Sequence, residues 1–479
     1  MGDISDVIGE GTYGCVHKPS LKCKDKEVDY TNKISKIMEK GDAKSEMKEY
    51  KVMNSIDKKE NYYLGKPISC MVEDTYKNVE AIKTCKNGKE FLKQLDKIAL
   101  LVMKDGGVNL ETFADELIYL PLNDSNREKV ELFWIEAHRI ILGLKVFSDN
   151  GIMHHDLKPQ NIVYNEKMNR LNFIDFGFMT TKEQIINTSS SSKNHLSNFH
   201  WSFPLEMAFY NKRKYLKHAR KSEADRIQYY NKIVDDFKAS KSTPITQMLR
   251  TFFSFITNKD STSEEYNVLL KIFLKDFYNM IVHNISDPKK YNAFINKSTD
   301  AVDIYGVGIA LFYVFIHSIK FLNDYLIEEF TELFYSMVCP DFEKRPDVNS
   351  LITKYESILE DSGLLSKYNK HFENHKLVIG PAVPGNVSLK IDSIKKNDVL
   401  ITKTEQQKVV MSKIKICPEG KILNPKTNRC IKNKTVKICP EGKILNPKTN
   451  RCIKNKTVKI CPEGKILNPK TNRCVKNKL

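Results

Sequence analysis

The sequence predicts an α+β protein in which a small β-rich lobe precedes a larger helical one, and three observations carry that prediction. Residues 1–100 alternate short β-type runs with charged turns, interrupted by one helical pattern, "AKSEMKEYKVMNSID", from Ala43 to Asp57. From Glu131 the apolar period turns helical: Val130, Ile140, Ile141, Leu144 and Phe147 recur at roughly helical spacing before a stop at Asn150-Gly151. Past Ser362 the chain becomes polar, carries the cluster "GPAVPGN", and ends in a repeated segment.

Within the helical lobe, residues 211–298 are helical in pattern, mixed in charge and rich in Tyr and Phe. The most apolar run, "IYGVGIALFYVFIHS" from Ile304 to Ser318, is short for a membrane span and is bracketed by Asp303 and Lys320, so a buried core helix is expected. The start, "MGDISDVIGEG", lacks the basic and apolar regions of a secretory signal, and Asp6 stands where myristoylation wants Ser or Thr. No membrane association is therefore expected.

The net charge of +18 suggests nucleic acid until it is located. Residues 401–479 hold 21 Lys and Arg against 4 Glu, which leaves 56 basic against 55 acidic residues before them. The body is nearly neutral and the tail carries the basicity. Five of the 11 cysteines, Cys15, Cys23, Cys70, Cys85 and Cys339, are scattered through the body and read as reduced thiols of an intracellular protein.

Four short patterns carry chemistry. Gly9, Gly11 and Gly14, followed by Val16, make G-x-G-x-x-G-x-V in "GEGTYGCV", where absent side chains let backbone N–H groups approach phosphate oxygens. In "NKISKIM", Lys36 is suited to contact phosphates from a strand, with Lys33 as its rival. Glu49, ahead of apolar Val52, Met53 and Ile56, is the expected ion-pair partner, with Glu46 the alternative. In "GIMHHDLKPQNIVYN", Asp156 can accept a hydroxyl proton, Lys158 can neutralise a travelling phosphoryl group, and Asn161 can ligate a metal; Asp175 in "FIDFGF" supplies a carboxylate for Mg²⁺. Any one of these would more often be a surface polar group. All at this spacing point to phosphoryl transfer, in which positioning and electrostatics do most of the catalysis.

Together these motifs resemble the eukaryotic-type protein kinase family, over about Val7 to Ser362. The resemblance extends to "FPLEM", with Pro204, Leu205 and Glu206 standing for Ala-Pro-Glu, to Asp303 in "DIYGVG", and to Arg345 in "CPDFEKRP" as the buried partner expected for Glu206. It implies the two-lobed kinase fold, ATP and Mg²⁺ as cofactors, and protein substrates, with Lys158 more like serine/threonine than tyrosine kinases. Three departures stand out: His155 replaces Arg of His-Arg-Asp, Leu205 replaces Pro, and nearly a hundred residues separate Glu206 from Asp303. The last marks an insertion, for docking or as an embellishment. His155 implies activity without phosphorylation of the activation segment.

The tail repeats "KICPEGKILNPKTNRCIKNKTV" with a period of 22 from Lys415, placing cysteines at 417/430, 439/452 and 461/474. It resembles two-cysteine adaptor modules of large nucleocytoplasmic DNA viruses, which implies a viral protein of the host cytoplasm or the virion and protein partners for the repeats. Zinc in the tail is disfavoured, because each repeat offers two Cys and the last His is His375. A nucleic-acid tether is credible by charge, but the repeats lack aromatic residues for stacking. The expected organisation is a kinase domain over 1–362, a linker over 363–414 and repeats over 415–479, with a pseudokinase scaffold as the competing reading.

Overall fold

The computed structural model describes residues 5–11, 14–190, 200–257 and 262–379, together with the backbone of six short strands between 421 and 476. The chain divides into two units, residues 1–397 and 398–479.

The first unit opens with β1 (Asp6–Glu10), β2 (Gly14–Lys18) and β3 (Lys33–Glu39), followed by helix α1 (Lys40–Ile56), β4 (Ile68–Cys70), α2 (Tyr76–Lys83), α3 (Gly88–Lys93) and β5 (Ile98–Lys104). The strands form one antiparallel sheet in the order β1-β2-β3-β5-β4. Residues Ile98 to Val102 of β5 are all buried, because α1 covers one face and the α2–α3 pair the other. Along α1, Ala43, Glu46, Tyr50 and Met53 form the buried stripe at helical spacing.

Four of the body cysteines are joined as Cys15–Cys85 and Cys23–Cys70, which corrects the expectation of reduced thiols; only Cys339 is free among those described. Partners 70 and 47 positions apart meet because the segment between β4 and β5 folds back over the sheet, with Cys23 bridged to Val72 and Lys24 N–H bonded to Met71. Sequence separation concealed the pairing.

The larger lobe contains β6 (Val108–Asn109), α4 (Leu110–Tyr119), α5 (Asp124–Asp149), β7 (Ile152–Met153), β8 (Ile162–Asn165), β9 (Arg170–Phe173), β10 (Thr180–Thr181) and α6 (Lys182–Thr188). It continues through α7 (Lys212–Ala219), α8 (Glu223–Lys238), α9 (Pro244–Ile256), α10 (Glu264–Tyr278), α11 (Tyr291–Ser318), α12 (Asp324–Met337) and α13 (Val348–Asp361). The apolar run from Ile304 lies inside α11, which is 28 residues long, more than the run suggested. The stretch Pro288–Phe321 is long and apolar enough to cross a membrane, but 83% of its most apolar window is buried within the protein. It serves as the core helix around which the lobe packs. At Gly306 a Cβ would come within 2.5 Å of the Leu157 carbonyl, so the missing side chain lets the 154–161 loop rest on this helix.

Residues 364–379, read from sequence as the start of a linker, fold onto the lobe as α14 (Leu364–Lys367) and a hairpin of β11 (Lys370–Glu373) and β12 (Lys376–Ile379). Leu364 and Leu365 are buried, Tyr368 bonds Glu131, and Phe372 packs 4.4 Å from the His138 ring.

In the second unit each repeat contributes one hairpin: β13 (Lys421–Asn424) with β14 (Arg429–Lys432), β15 (Lys443–Asn446) with β16 (Arg451–Lys454), and β17 (Lys465–Asn468) with β18 (Arg473–Lys476). The register is the same in all three, with Leu423, Leu445 and Leu467 opposite Cys430, Cys452 and Cys474. Cys417, Cys439 and Cys461 lie outside the described residues.

Candidate active site

Gly9 and Gly11 sit at the end of the β1–β2 hairpin, with Gly9 paired to Val16 and Gly11 N–H donating to the Gly14 carbonyl at 2.9 Å. A Cβ at Gly14 would lie 2.7 Å from the Ile37 carbonyl, so this glycine is needed for β2 to pack on β3. At Gly11 a Cβ would meet nothing within 4 Å. The backbone there is open to an approaching anion.

Lys36 lies mid-strand in β3, paired with Val16 of the Gly-rich hairpin on one side and Leu101 on the other. Its Nζ reaches Glu46 Oε2 at 2.7 Å. This overturns the assignment to Glu49, which is half-buried on the flank of α1 and does not reach Lys36. The apolar triplet after Glu49 misled, because the stripe that faces the sheet passes through Ala43, Glu46 and Tyr50. Burial raises the Glu46 pKa above the usual carboxylate range; the Lys36 charge opposes the rise and Asp175 adds to it. Lys33, the rival lysine, starts the same strand, away from Glu46.

The 154–161 loop is fixed from below. Asp303 of α11 accepts the His154 and His155 N–H groups at 2.7 and 2.8 Å, while His154 Nε2 lies 3.0 Å from the Ile174 carbonyl. Lys158 Nζ reaches both Asp156 oxygens, at 2.9 and 2.7 Å. Asn161 Nδ2 donates to the Asp156 carbonyl at 2.7 Å and to its carboxylate at 2.9 Å. The three residues brought close by sequence are thus one hydrogen-bonded group in space.

That geometry fits a divalent cation. Because Asn161 Nδ2 is held by Asp156, its Oδ1 is the amide atom left to ligate, and hard cations prefer oxygen. The Asn161 carbonyl accepts Ile174 N–H at 3.1 Å, tying this loop to the strand end that carries Asp175. Asp175 is exposed at φ +61°, a strained left-handed backbone that sets its carboxylate apart from the following residue. Phe176, fully buried, packs edge-on to Tyr50 of α1 at 5.4 Å and to Tyr63 at 6.2 Å. Asn161 and Asp175 are the residues that would hold Mg²⁺.

His155 takes φ +68° and is buried, with Nε2 lacking a hydrogen-bond partner among the described residues and its ring 5.2 Å from Phe203. Burial pushes its pKa down to about 4, so it is neutral at ordinary pH. His200 was not singled out from sequence. Its Nδ1 lies 2.7 Å from Ser202 Oγ, and its pKa is lowered by burial and by Lys158, against the pull of Asp156. The signal for it was the cluster "HWSF" just ahead of Pro204.

The following segment is anchored twice. Glu206 and Arg345 form a two-point ion pair at 2.5 and 2.9 Å, as the sequence led us to expect. Trp201 stacks on Phe255 of α9, with ring centroids 4.1 Å apart and an interplanar angle of 10°. The inserted helices therefore brace the segment beside the 154–161 loop. Phe252 and Phe255, three residues apart on one face of α9, meet Tyr305 and Tyr313 of α11 at 6.0 and 5.1 Å.

Comparison with known proteins matches residues 3–220 to the family described as protein tyrosine and serine/threonine kinase. A probable serine/threonine-protein kinase of Dictyostelium discoideum is 36% identical over 85 residues, which is 17% of this chain and 8% of that protein. The chain therefore spans only a small part of that relative's length. Residues 3–220 thus match a protein kinase domain, and the antiparallel sheet followed by a mainly helical lobe is a mixed α+β architecture consistent with the two-lobed kinase fold.

Proposed function

We propose that this protein transfers the γ-phosphoryl group of ATP to Ser and Thr hydroxyls of proteins, using Mg²⁺, and that its C-terminal repeats recruit protein partners. The observation that carries the reading is the simultaneous assembly of the Lys36–Glu46 pair and the Asp156–Lys158–Asn161 group, with Phe176 packed beneath α1. Active protein kinases require the lysine–glutamate pair and the metal-binding Asp together.

In this reading the open backbone at Gly11, with Gly9 beside it, cradles phosphates while Lys36 contacts them as a point charge held in place by Glu46. Asp156 accepts the proton of the attacking hydroxyl, and Lys158, already at its carboxylate, swings its charge onto the transferred group. Mg²⁺, held by Asn161 and Asp175, would neutralise charge on the phosphates. Lys158 and the Dictyostelium relative support Ser/Thr over Tyr. The adaptor-like repeats support an origin in a large DNA virus, with the protein in the host cytoplasm or virion. The two disulfides weigh toward the virion, since a reducing cytoplasm disfavours them.

The test is incubation of the full chain with γ-labelled ATP, Mg²⁺ and a degenerate Ser/Thr/Tyr peptide mixture, beside Asp156→Asn. Label on Ser and Thr that disappears in the variant supports the proposal. Equal label in both, or none in the wild type with ATP bound, favours a scaffold.

A further inference from the structure

We propose that Cys15, His17, Cys85 and Glu10 form a Zn²⁺ site in the reduced protein, one that the Cys15–Cys85 disulfide closes on oxidation. Two cysteine sulfurs and an imidazole converge here within 4.8 Å of one another, all from buried residues, and no other such group of His, Cys, Asp and Glu is found among the described residues. His17 Nε2 lies 3.5 Å from Cys85 Sγ and 4.0 Å from Cys15 Sγ, and Glu10 Oε1 lies 3.7 Å from Cys15 Sγ.

Those separations are close to the ones a tetrahedral zinc site has. With Zn–S near 2.3 Å and Zn–N or Zn–O near 2.0–2.1 Å, neighbouring ligand atoms stand about 3.5–3.8 Å apart. The His17–Cys85 and Glu10–Cys15 separations match those edges and His17–Cys15 is slightly long; the two sulfurs are bonded to each other and Glu10 lies outside the group of mutually close donors, so the sulfurs must part and the carboxylate must move in when the bond opens. The donor set suits zinc, which takes thiolate, imidazole and carboxylate together. His17 supplies the imidazole, two residues after Cys15 and on the same face of β2. In the disulfide form its Nε2 faces the Ala81 carbonyl at 3.2 Å; the metal would take that place. Lys86 N–H donates to Glu10 Oε1, which holds the carboxylate beside Cys15. The second disulfide, Cys23–Cys70, has no histidine converging on it.

The chemistry balances with an external dithiol as reductant. It delivers two electrons and two protons to the Cys15–Cys85 bond and becomes a disulfide itself. The two new thiols release those protons to solvent as Zn²⁺ binds their sulfurs. Either state ties the Gly-rich hairpin to the turn after α2, because Glu10 sits between Gly9 and Gly11 and Cys15 follows Gly14, whereas Cys85 and Lys86 belong to the turn. Only the reduced, metal-free form leaves the hairpin without a covalent or metal tether. That consequence for nucleotide binding rests on the proposed kinase function; the metal site does not.

The experiment is a titration of the full chain, reduced anaerobically and stripped of metal, with Co²⁺ and then Zn²⁺ against a chromophoric chelator. Wild type should take up one equivalent more than Cys15→Ser/Cys85→Ser, with a thiolate-to-cobalt charge-transfer band that the variant lacks. The six tail cysteines and Cys339 are common to both proteins, so the difference reports this site. Cys23→Ser/Cys70→Ser should keep the equivalent. His17→Gln, which retains both thiols, should hold it about tenfold or more weakly. Equal uptake by wild type and Cys15→Ser/Cys85→Ser would overturn the proposal, and so would equal affinity in His17→Gln. Because the readout is metal binding, a chain that binds zinc without phosphorylating anything would defeat the kinase reading and leave this site standing.

Discussion

Arg345 and Glu206, 139 positions apart, meet through two hydrogen bonds in a pocket where neither side chain is exposed. The pair has further partners: Arg345 Nε donates to the Cys339 carbonyl at 2.7 Å, Ser298 Oγ donates to Glu206 at 3.2 Å, and the guanidinium lies 4.9 Å from the Tyr305 ring. A buried charge left without its partner is expensive, so Arg345→Ala should destabilise the lobe by roughly 3–5 kcal/mol. Chemical denaturation of the variant beside wild type measures this. An unchanged midpoint would mean that the pair contributes nothing to holding the segment.

The Lys36–Glu46 contact makes a paired prediction. Glu46→Gln removes a charge-assisted bond worth about 1.5–3 kcal/mol, so kcat/KM for ATP should fall about 10- to 100-fold. Glu49→Gln should stay near wild type. Steady-state kinetics on both variants decides between them, and the reverse ranking would restore the assignment read from sequence.

His155 makes a prediction about acid. Its pKa falls from 6.5 unfolded to about 4 folded, so between those values the unfolded chain binds more protons and stability rises with pH. The contribution is complete above about pH 6.5 and is lost as pH falls through about 4, a change of roughly 3 kcal/mol. Between pH 7 and pH 4.5 the urea midpoint should fall further in wild type than in His155→Gln. Parallel curves would refute it.

A neutral His155 cannot clamp a phosphate as an Arg would, and the segment is braced instead by the Trp201–Phe255 stack. Phosphatase treatment should therefore leave most activity intact. Phe255→Ala should lower kcat about 2- to 10-fold, the range that an aromatic pair worth about 0.5–1.5 kcal/mol allows. Activity lost with phosphatase and unaffected by Phe255→Ala would reverse this account.

Removal of residues 415–479 should leave kcat on a generic peptide unchanged, because the residues assigned to catalysis lie in the first unit. Three similar hairpins in series should raise avidity for a partner with repeated sites. Pull-downs with wild-type and all-Ser tails, at low and high salt with nuclease, separate a protein partner from a basic tether. Binding that ignores the cysteines but vanishes with salt would leave the tether.

The sequence by itself determined the parts whose chemistry depends on short spacing. Asp156, Lys158 and Asn161 lie within six positions, and a loop that short can bring its own side chains together wherever it sits. The Gly-rich hairpin, the 22-residue repeats and the helical insertion were legible for the same reason, since local periodicity and missing side chains are properties of neighbours in the chain. What tertiary structure alone decided were contacts between distant segments. Glu46 and not Glu49 faces Lys36 because the sheet selects one stripe of α1, and one turn of helix cannot be resolved from apolar neighbours alone. Cys15 meets Cys85, and Trp201 meets Phe255, only after the segments that follow β4 and Glu206 fold back on the lobes. Those pairings depend on how packed elements share a surface, and no residue's near neighbours encode that.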